Sequence, residues 1–169
     1  MITVLLDFAR PSDLNRQTQV MGSLLSHSIK LIQQDATNKN IEIALLVDMD
    51  ICPVWIDSDR LAQCLLNLYI NAIQAMEDGG TLTVQCSADG VDYLQVIVKY
   101  SGPGISPDQI INIFYTYFTT KKQGTGLGLA IVYKIIEAHQ GQIAVDSTIG
   151  EGTSFTIRIP CQSSETVKR

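Results

Sequence analysis

The spacing of apolar and polar positions predicts three long helices separated by shorter extended segments. A helical stripe over about 17–36 has these residues on its buried face: Val20, Leu24, Leu25, Ser28, Leu31 and Ile32. A second helix is predicted from Ser58 to Met76, with Asp57 or Ser58 as its N-cap, and a third from Leu127 to His139. A shorter stripe near the start of the sequence ends at Arg10-Pro11, because the residue before proline disfavours helix.

Alternation of apolar and polar side chains with a period of two predicts the strands. They cover about 41–47, 54–56, 81–86, 94–100, 142–147 and 153–159. Asp89-Gly90 is a strong hairpin signal, and Tyr100 is expected on the inward face of its strand with Val96 and Val98. Long helices alternating irregularly with hairpins predict an α/β (α+β) two-layer sandwich. Its sheet is mixed and mostly antiparallel, with about three helices on one face.

The composition is typical of a single folded domain. The chain has 169 residues, of which 46% are hydrophobic, with no repeat and no break in composition. A net charge of −5 gives no general attraction to nucleic acid or to an anionic membrane. No apolar run reaches the length of a membrane span and the N-terminus lacks a signal-peptide pattern, so we expect no direct membrane contact.

The four cysteines are widely separated in the sequence. Cys52, Cys64, Cys86 and Cys161 form no C-x-x-C pair and have no neighbouring histidine pair. This pattern predicts four separate thiols in the core or on the surface, without a disulfide framework or a metal site. A reducing cytoplasm is the environment that this cysteine usage favours.

One face of the helix from Ser58 is polar in an unusual way. At about 100° per residue, a wedge of roughly 80° collects polar side chains. These are Arg60, Gln63, Asn67, Asn71, Gln74 and Asp78. A solvated surface is the ordinary explanation, but the middle of the wedge holds amides where a solvated face is better served by charges. Neutral amides suit a half-buried site that coordinates a cation or water beside a polyphosphate.

Two glycine-rich loops supply close backbone approach. Gly102-Pro103-Gly104 follows a strand and leads into Ile105, which is compatible with a plain turn or with a planar ligand lying against the backbone. The other loop holds three alternate glycines at the start of a helix, whose free N–H groups form an anion site. These are Gly124, Gly126 and Gly128. The spacing fits neither a P-loop nor a Rossmann loop. Upstream, Lys121-Lys122 is equally compatible with phosphate contact and with solvation.

In this order the motifs resemble the ATP-binding domain of two-component sensor histidine kinases, of the GHKL superfamily. The resemblance covers about 12–160. Asn67–Met76 looks like the N box of the family, Ser101–Ile105 its first glycine box, Ile113–Lys121 its F box, and Gly124–Leu129 its second glycine box. The sequence of the F box, together with Ala9-Arg10-Pro11, is most similar to the corresponding sequences of nitrogen-regulation and zinc-responsive sensor kinases.

The resemblance implies a set of roles for individual residues. Asn71 is expected to ligate Mg²⁺ on the ATP phosphates, Asn67 and Lys121 to act in catalysis, and 105–123 to form a lid. The implied ATP-binding residues are Asn67, Asn71, Tyr100, Gly102, Gly104, Ile105, Phe118, Thr119, Thr120, Lys121, Gly124, Thr125, Gly126, Leu127, Gly128 and Leu129. Related ATPases carry a glutamate general base where this chain has Asn67, so slow hydrolysis and transfer to a protein acceptor are expected.

The phosphoacceptor histidine of the family is expected outside this sequence. His27 and His139 both lack the acidic and Asn-Pro context of that site, and we interpret both as structural, with His139 as a cation at a helix end. Residues 1–11 then resemble the end of a truncated dimerisation and phosphoacceptor helix, and 161–169 a polar, frayed tail. The implied partners are those helices and a response regulator. The implied location is the cytosolic part of a membrane-bound sensor, and the fragment itself is expected to be a monomer.

Tyr100 departs from the family pattern. The resemblance places an adenine-binding aspartate two residues before Gly102, where this chain has a tyrosine. A deliberate substitution, a natural variant with weakened ATP binding, and a degenerate kinase that only scaffolds all remain open. The rival interpretations are therefore a nucleotide-compromised pseudokinase module and a GHKL ATPase. The missing acidic residue at Asn67 argues against the ATPase.

Overall fold

A computed structural model describes residues 13–115 and 128–162 of the chain. Its helices and strands follow from capping residues at the helix starts and from the alternation of buried and exposed positions along the strands. In chain order they are β1 Gln17–Gln19, α1 Met21–Asn38, β2 Ile41–Val47, β3 Val54–Ile56, α2 Ser58–Ala75, β4 Gly80–Asp89, β5 Tyr93–Tyr100, α3 Pro107–Ile110, α4 Gly128–Ala138, β6 Gln142–Thr148 and β7 Gly152–Pro160. The predicted second and third helices and all six predicted strands are present, with ends shifted by a few residues at most.

Five strands form the main sheet in the order β2-β4-β5-β7-β6. The β2–β4 pair is parallel, and the other three pairs are antiparallel. A separate antiparallel ribbon joins β1 to β3, with Gln17 opposite Ile56. The predicted mixed, mostly antiparallel sheet is confirmed.

Helices α1, α2 and α4 cover one face of this sheet and bury a continuous apolar core. Along β5 the inward residues Leu94, Val96 and Val98 are almost completely buried, as are Phe155 and Ile157 on the neighbouring β7. The seven buried residues of α2 are Leu61, Cys64, Leu65, Leu68, Tyr69, Ala72 and Ile73. Burial of such side chains supplies the main stabilising free energy of the domain, at roughly 1.5–3 kcal/mol for each large aliphatic or aromatic group. The predicted two-layer sandwich is confirmed.

The buried face of α1 differs from the predicted one. Leu25, Ser28 and Ile32 are buried as expected, but Val20 and Leu31 are 58% and 56% exposed. The other buried positions of the helix are Met21, Ile29 and Ala36. The helix starts at Met21 because Gln17–Gln19 pairs with β3. Its orientation is set by packing on α2, where the Ser28 hydroxyl lies 3.1 Å from that of Tyr69.

The prediction of four separate thiols is wrong for two of the cysteines. Cys52 and Cys161 form a disulfide across a sequence separation of 109 residues, with their Cα atoms 5.7 Å apart. The end of β7 runs beside the segment before β3, where the backbone N–H of Gln162 donates to the Pro53 carbonyl at 2.9 Å. Spacing along the sequence carries no information on this long-range contact. Cys64 and Cys86 are buried free thiols.

The described residues contain no candidate for a membrane-spanning helix. Among the helices of 13–115 and 128–162, none combines the length and hydrophobicity needed to cross a bilayer.

Candidate functional site

The start of α2 is fixed by Asp57, one of the two N-cap residues that the sequence predicts. One carboxylate oxygen of Asp57 accepts the backbone N–H of Arg60 at 3.2 Å, which is the geometry of an N-cap. The helix that follows turns its apolar side to the core and its amide side outward. Asn67 and Asn71 are half-buried on that amide side, whereas Gln74 at its end is exposed. The middle of the polar wedge is therefore partly withdrawn from solvent, as a binding face requires.

Asn67 connects this amide face to the beginning of α4. Its side-chain nitrogen donates to the backbone carbonyl of Gly128 at 3.4 Å, across 61 positions of sequence. Gly128 is the first residue of α4, and within the described residues a Cβ placed on it would meet no atom within 4 Å. The amide face of α2 and the start of α4 thus lie side by side. Orphan backbone N–H groups at such a terminus favour a negatively charged ligand.

The loop from Gly102 to Ile105 is held against the β6–β7 turn. Gly104 has φ +77°, and a Cβ on it would lie 2.3 Å from the Thr148 carbonyl oxygen, so only glycine fits there. The backbone N–H of Ile105 donates to the Ser147 hydroxyl at 2.8 Å. The close approach that Gly104 permits is therefore to the protein backbone itself, which fixes the shape of the loop before any ligand binds.

Ser147 organises this corner and has no signal in the sequence. Its hydroxyl donates to the Gly152 carbonyl at 2.9 Å and lies 2.8 Å from the Thr153 hydroxyl. Because a serine carries one hydroxyl hydrogen, Thr153 must donate to Ser147, whose remaining acceptor capacity takes the Ile105 N–H. Ser147 fits the regular alternation of exposed and half-buried positions along β6, so the periodicity of the sequence gives no reason to single it out.

Tyr100 points into the interior, as predicted from strand alternation. It is 5% exposed and lies opposite Leu82 on β4 and Thr153 on β7. Burial raises the pKa of its phenol, and a side-chain hydrogen bond with Thr153 partly opposes that shift. The phenol is therefore neutral at physiological pH, where an aspartate at the same position carries a charge.

His139 contradicts the interpretation of a cation at a helix end. Its Nε2 accepts the backbone N–H of Asp57 at 3.0 Å, and its Nδ1 lies 2.7 Å from the Ile135 carbonyl. The first contact needs an unprotonated nitrogen and the second needs an N–H donor, which together define one neutral tautomer. Burial lowers the pKa of His139, consistent with a neutral ring. The structural role expected for His139 is confirmed by its two buried hydrogen bonds.

Half of the predicted ATP-binding residues fall outside the described ranges. They are Phe118, Thr119, Thr120, Lys121, Gly124, Thr125, Gly126 and Leu127. Of the predicted lid at 105–123, the described part contains α3, capped by the Ser106 side chain. The described part of the lid also contains Phe114, whose ring centroid lies 5.8 Å from that of Tyr133 and 6.3 Å from that of Phe155. Leu129 is partly buried against the core rather than open to solvent.

Known proteins are similar to this chain in both sequence and fold. A sequence profile of the family "Histidine kinase-, DNA gyrase B-, and HSP90-like ATPase" matches residues 56–163. The sensor histidine kinase ZraS of Salmonella typhimurium is 43% identical over 159 residues, which cover 94% of this chain and 34% of ZraS. Full-length ShkA in complex with AMPPNP superposes with a TM-score of 0.86 at 30% identity, over 96% of this chain and 35% of ShkA.

Histidine kinase ThkA gives two further matches. Its nucleotide-free catalytic domain is 33% identical, with a TM-score of 0.79 over 88% of this chain and 97% of that domain. ThkA in complex with the response regulator protein TrrA is 28% identical, with a TM-score of 0.79 over 99% of this chain and 48% of ThkA.

This chain belongs to the histidine kinase-, DNA gyrase B- and HSP90-like ATPase family. Within that family it is the ATP-binding catalytic domain of a sensor histidine kinase, and its curated relatives and structural neighbours are proteins of that kind. The chain spans about a third of the length of the curated relatives it matches. The pseudokinase alternative receives no support from these relatives.

Proposed function

We propose that this domain binds Mg-ATP between the amide face of α2, the loop Gly102–Ile105 and the N-terminus of α4. From there it supplies the γ-phosphoryl group to a histidine in another part of the full-length protein. The observation that carries the proposal is the contact of Asn67 with Gly128, because it joins the predicted metal-binding face to the predicted phosphate-binding helix. Family membership supports the nucleotide, and the half-buried amides support its polyphosphate end.

Asn71 is the residue proposed to hold Mg²⁺. It lies one helical turn after Asn67 on the same half-buried face, and an amide oxygen is a ligand type that Mg²⁺ accepts alongside water and phosphate oxygens. Mg²⁺ held by Asn71 would neutralise negative charge on the phosphates of ATP. A neutral amide ligand adds no negative charge beside the polyphosphate. This matters because the chain already carries a net charge of −5, which disfavours binding of an anion.

Asn67 favours transfer over hydrolysis. An amide cannot take a proton from water, so it cannot act as the general base that ATP hydrolysis needs. Its side-chain nitrogen is already directed at the Gly128 carbonyl, which makes it a positioning group between the two helices. Phosphoryl transfer depends mainly on positioning and charge neutralisation, and these are what Asn67, Asn71 and the proposed Lys121 supply.

The phosphoryl acceptor is proposed to be a histidine outside this sequence, followed by an aspartate of a response regulator. His139 is 5% exposed with both ring nitrogens engaged, so its ring cannot meet the γ-phosphate. His27 is exposed on α1, which is not one of the elements of the proposed site. The dimerisation helices expected before residue 12 and a response regulator are the proposed partners. The ThkA–TrrA complex is a structural precedent among the neighbours.

Tyr100 is proposed to set a modest affinity and weak base selectivity. A neutral phenol in place of a carboxylate removes a charged acceptor for the adenine amino group. Its burial beside Thr153 leaves the phenol packed into the sheet rather than extended toward a ligand. The cost in affinity is roughly 1–3 kcal/mol, or about ten- to a hundredfold. Binding through the phosphates and Mg²⁺ is expected to persist.

Isothermal titration with ATP tests the proposal, with and without Mg²⁺. We expect binding that requires Mg²⁺ and that Asn71→Ala weakens at least about tenfold, since a metal ligand is lost. Gln74→Ala is the matched control, because Gln74 is an exposed amide one turn further along the same helix. Equal affinities for wild type and Asn71→Ala, or binding indifferent to Mg²⁺, would remove Asn71 from the metal site.

A further inference from the structure

Two residues at the start of the described chain bridge the ends of α2 and α4. The backbone N–H of Asn15 donates to a carboxylate oxygen of Asp57 at 3.0 Å. The guanidinium of Arg16 donates to the Ala138 carbonyl at 2.6 Å, which adds a charge-assisted bond at the last residue of α4. A short segment that enters the domain from the N-terminal side therefore holds both helices.

His139 completes this arrangement, which we call the helix junction and define as Asn15, Arg16, Asp57, Ala138 and His139. The Asp57 backbone N–H donates to His139 Nε2 at 3.0 Å, while the Asp57 side chain caps α2. Asp57 and His139 are 8% and 5% exposed. The start of α2 and the end of α4 are thus joined by direct hydrogen bonds shielded from water, where such bonds are strongest.

The same two helices meet again at the proposed nucleotide site. Ten positions separate Asp57, the N-cap of α2, from Asn67 in the middle of that helix, and eleven separate Gly128, the first residue of α4, from His139 just after its end. The two helices therefore run antiparallel, with one contact at each end of α4. At a rise of 1.5 Å per residue the two contacts are about 15 Å apart. Apolar side chains such as Leu65 and Val132 fill the core along these helices. Such a packed pair transmits a displacement from one end to the other, because packed cores deform little.

We propose that Arg16 is a positioning residue of the nucleotide site. By holding the C-terminal end of α4 against the start of α2, it sets the distance between the amide face and the N-terminus of α4. Nucleotide affinity then depends on the position of the chain that enters the domain before residue 15. This inference rests on the proposed function, since it assumes that the ligand lies between the two helices.

The junction also has a defined protonation state. The charged groups that face the His139 ring are Arg16 from the N-terminal segment and Asp57 from α2, and the Ile135 carbonyl of α4 occupies its Nδ1. Protonation of Nε2 would set an N–H against the N–H of Asp57 and break the contact. Acid conditions should therefore open the junction and loosen the site at its other end.

The test compares wild type, Arg16→Ala, Arg16→Lys and the control Lys134→Ala. Lys134 is an exposed cation on α4. Hydrogen exchange is read at the Val132 and Tyr133 amides in the first turns of α4, without ligand, and Mg-ATP affinity is measured by titration. Arg16→Ala should speed exchange at Val132 and weaken binding by about three- to tenfold, since only part of the free energy of one charge-assisted bond at the junction is expected to reach the distant site. Arg16→Lys should recover part of both effects, and Lys134→Ala should change neither.

A second variant separates positioning from general destabilisation. His139→Gln places an amide oxygen where Nε2 accepts from Asp57, so the contact is kept without a titrating group. Because the pKa of His139 in the folded domain is lowered from 6.5, wild-type affinity should fall only as pH drops below 6.5, and His139→Gln should be flatter over the same range. A response to Arg16→Ala confined to 136–141, or unchanged affinity where wild type binds well, would overturn the proposal. If wild type binds no Mg-ATP, the proposed function fails, whereas exchange at Val132 still decides whether the junction reaches the far end of α4.

Discussion

The side-chain nitrogen of Asn67 donates to the backbone carbonyl of Gly128, so the helix that carries the amide face is joined to the first residue of α4. Neither residue is unusual by itself. Together they place the neutral amides of α2 beside the start of α4, which is the arrangement that we propose for a metal-bound polyphosphate.

Replacing Asn67 by aspartate tests the contact. An aspartate oxygen cannot donate to the Gly128 carbonyl, and its charge would face the polyphosphate. We expect Mg-ATP affinity to fall at least about tenfold, with a loss of roughly 1–3 kcal/mol in folding free energy. Titration and urea unfolding measure the two effects. Gln63→Glu, which adds a charge earlier on the same face, is the control, and equal losses in both variants would argue against a specific contact.

Tyr100→Asp should tighten ATP binding and introduce a preference for ATP over GTP. The carboxylate restores an acceptor for the adenine amino group, worth about 1–3 kcal/mol, while guanine presents an acceptor at that position. Tyr100→Phe is the matched control, because it removes only the hydroxyl. Parallel titrations with ATP and GTP make the comparison. Unchanged affinities and an unchanged ATP-to-GTP ratio in Tyr100→Asp would show that position 100 does not contact the base.

Stability should decline with acid through His139. Burial lowers the pKa of this residue below its ordinary value of 6.5, so the unfolded chain binds more protons than the folded one. The stabilising contribution is complete above pH 6.5 and is lost as pH falls through the folded pKa. Urea unfolding at a series of pH values should therefore show a drop that His139→Gln lacks. Identical pH slopes in the two proteins would assign the acid sensitivity to other groups.

Reduction should destabilise the domain through Cys52–Cys161. The crosslink spans 109 residues and restricts the unfolded chain, so reduction is expected to cost about 2–4 kcal/mol of unfolding free energy. Alkylation in denaturant should add two labels without reductant, at Cys64 and Cys86, and four with it. Cys52→Ser should unfold like the reduced protein with or without reductant. Four labels on the untreated protein would show that the disulfide is absent.

Local signals predict α2 well, because its start and its face are both encoded within a few residues. Asp57 supplies the cap, and apolar positions such as Leu61 and Leu68 repeat at helical spacing. Strand β1 is not predicted, because no local signal encodes it. Gln17–Gln19 is extended only because it pairs with β3, which is distant in the sequence. Val20 is misassigned because of the same error in the start of α1, whereas the exposure of Leu31 follows from how α1 packs on α2.

The candidate site is predictable where short motifs carry it and unpredictable where distant segments build it. The amides of α2 and Gly128 stand out in the sequence, and the resemblance brings them together. Ser147, by contrast, acquires its role only when β6 closes on the loop before α3. The hydrogen bond between His139 and Asp57 likewise depends on two helix ends 82 positions apart, which no periodicity reveals.

The most direct measurement of the central claim is amide chemical-shift mapping of the labelled domain titrated with Mg-ATP. We expect saturable shifts at Asn67 and Asn71, at the loop Gly102–Ile105 and at Gly128, with smaller changes on α1 and β2. Absence of saturable shifts, or shifts concentrated on α1 and β2, would contradict a nucleotide site between α2 and α4.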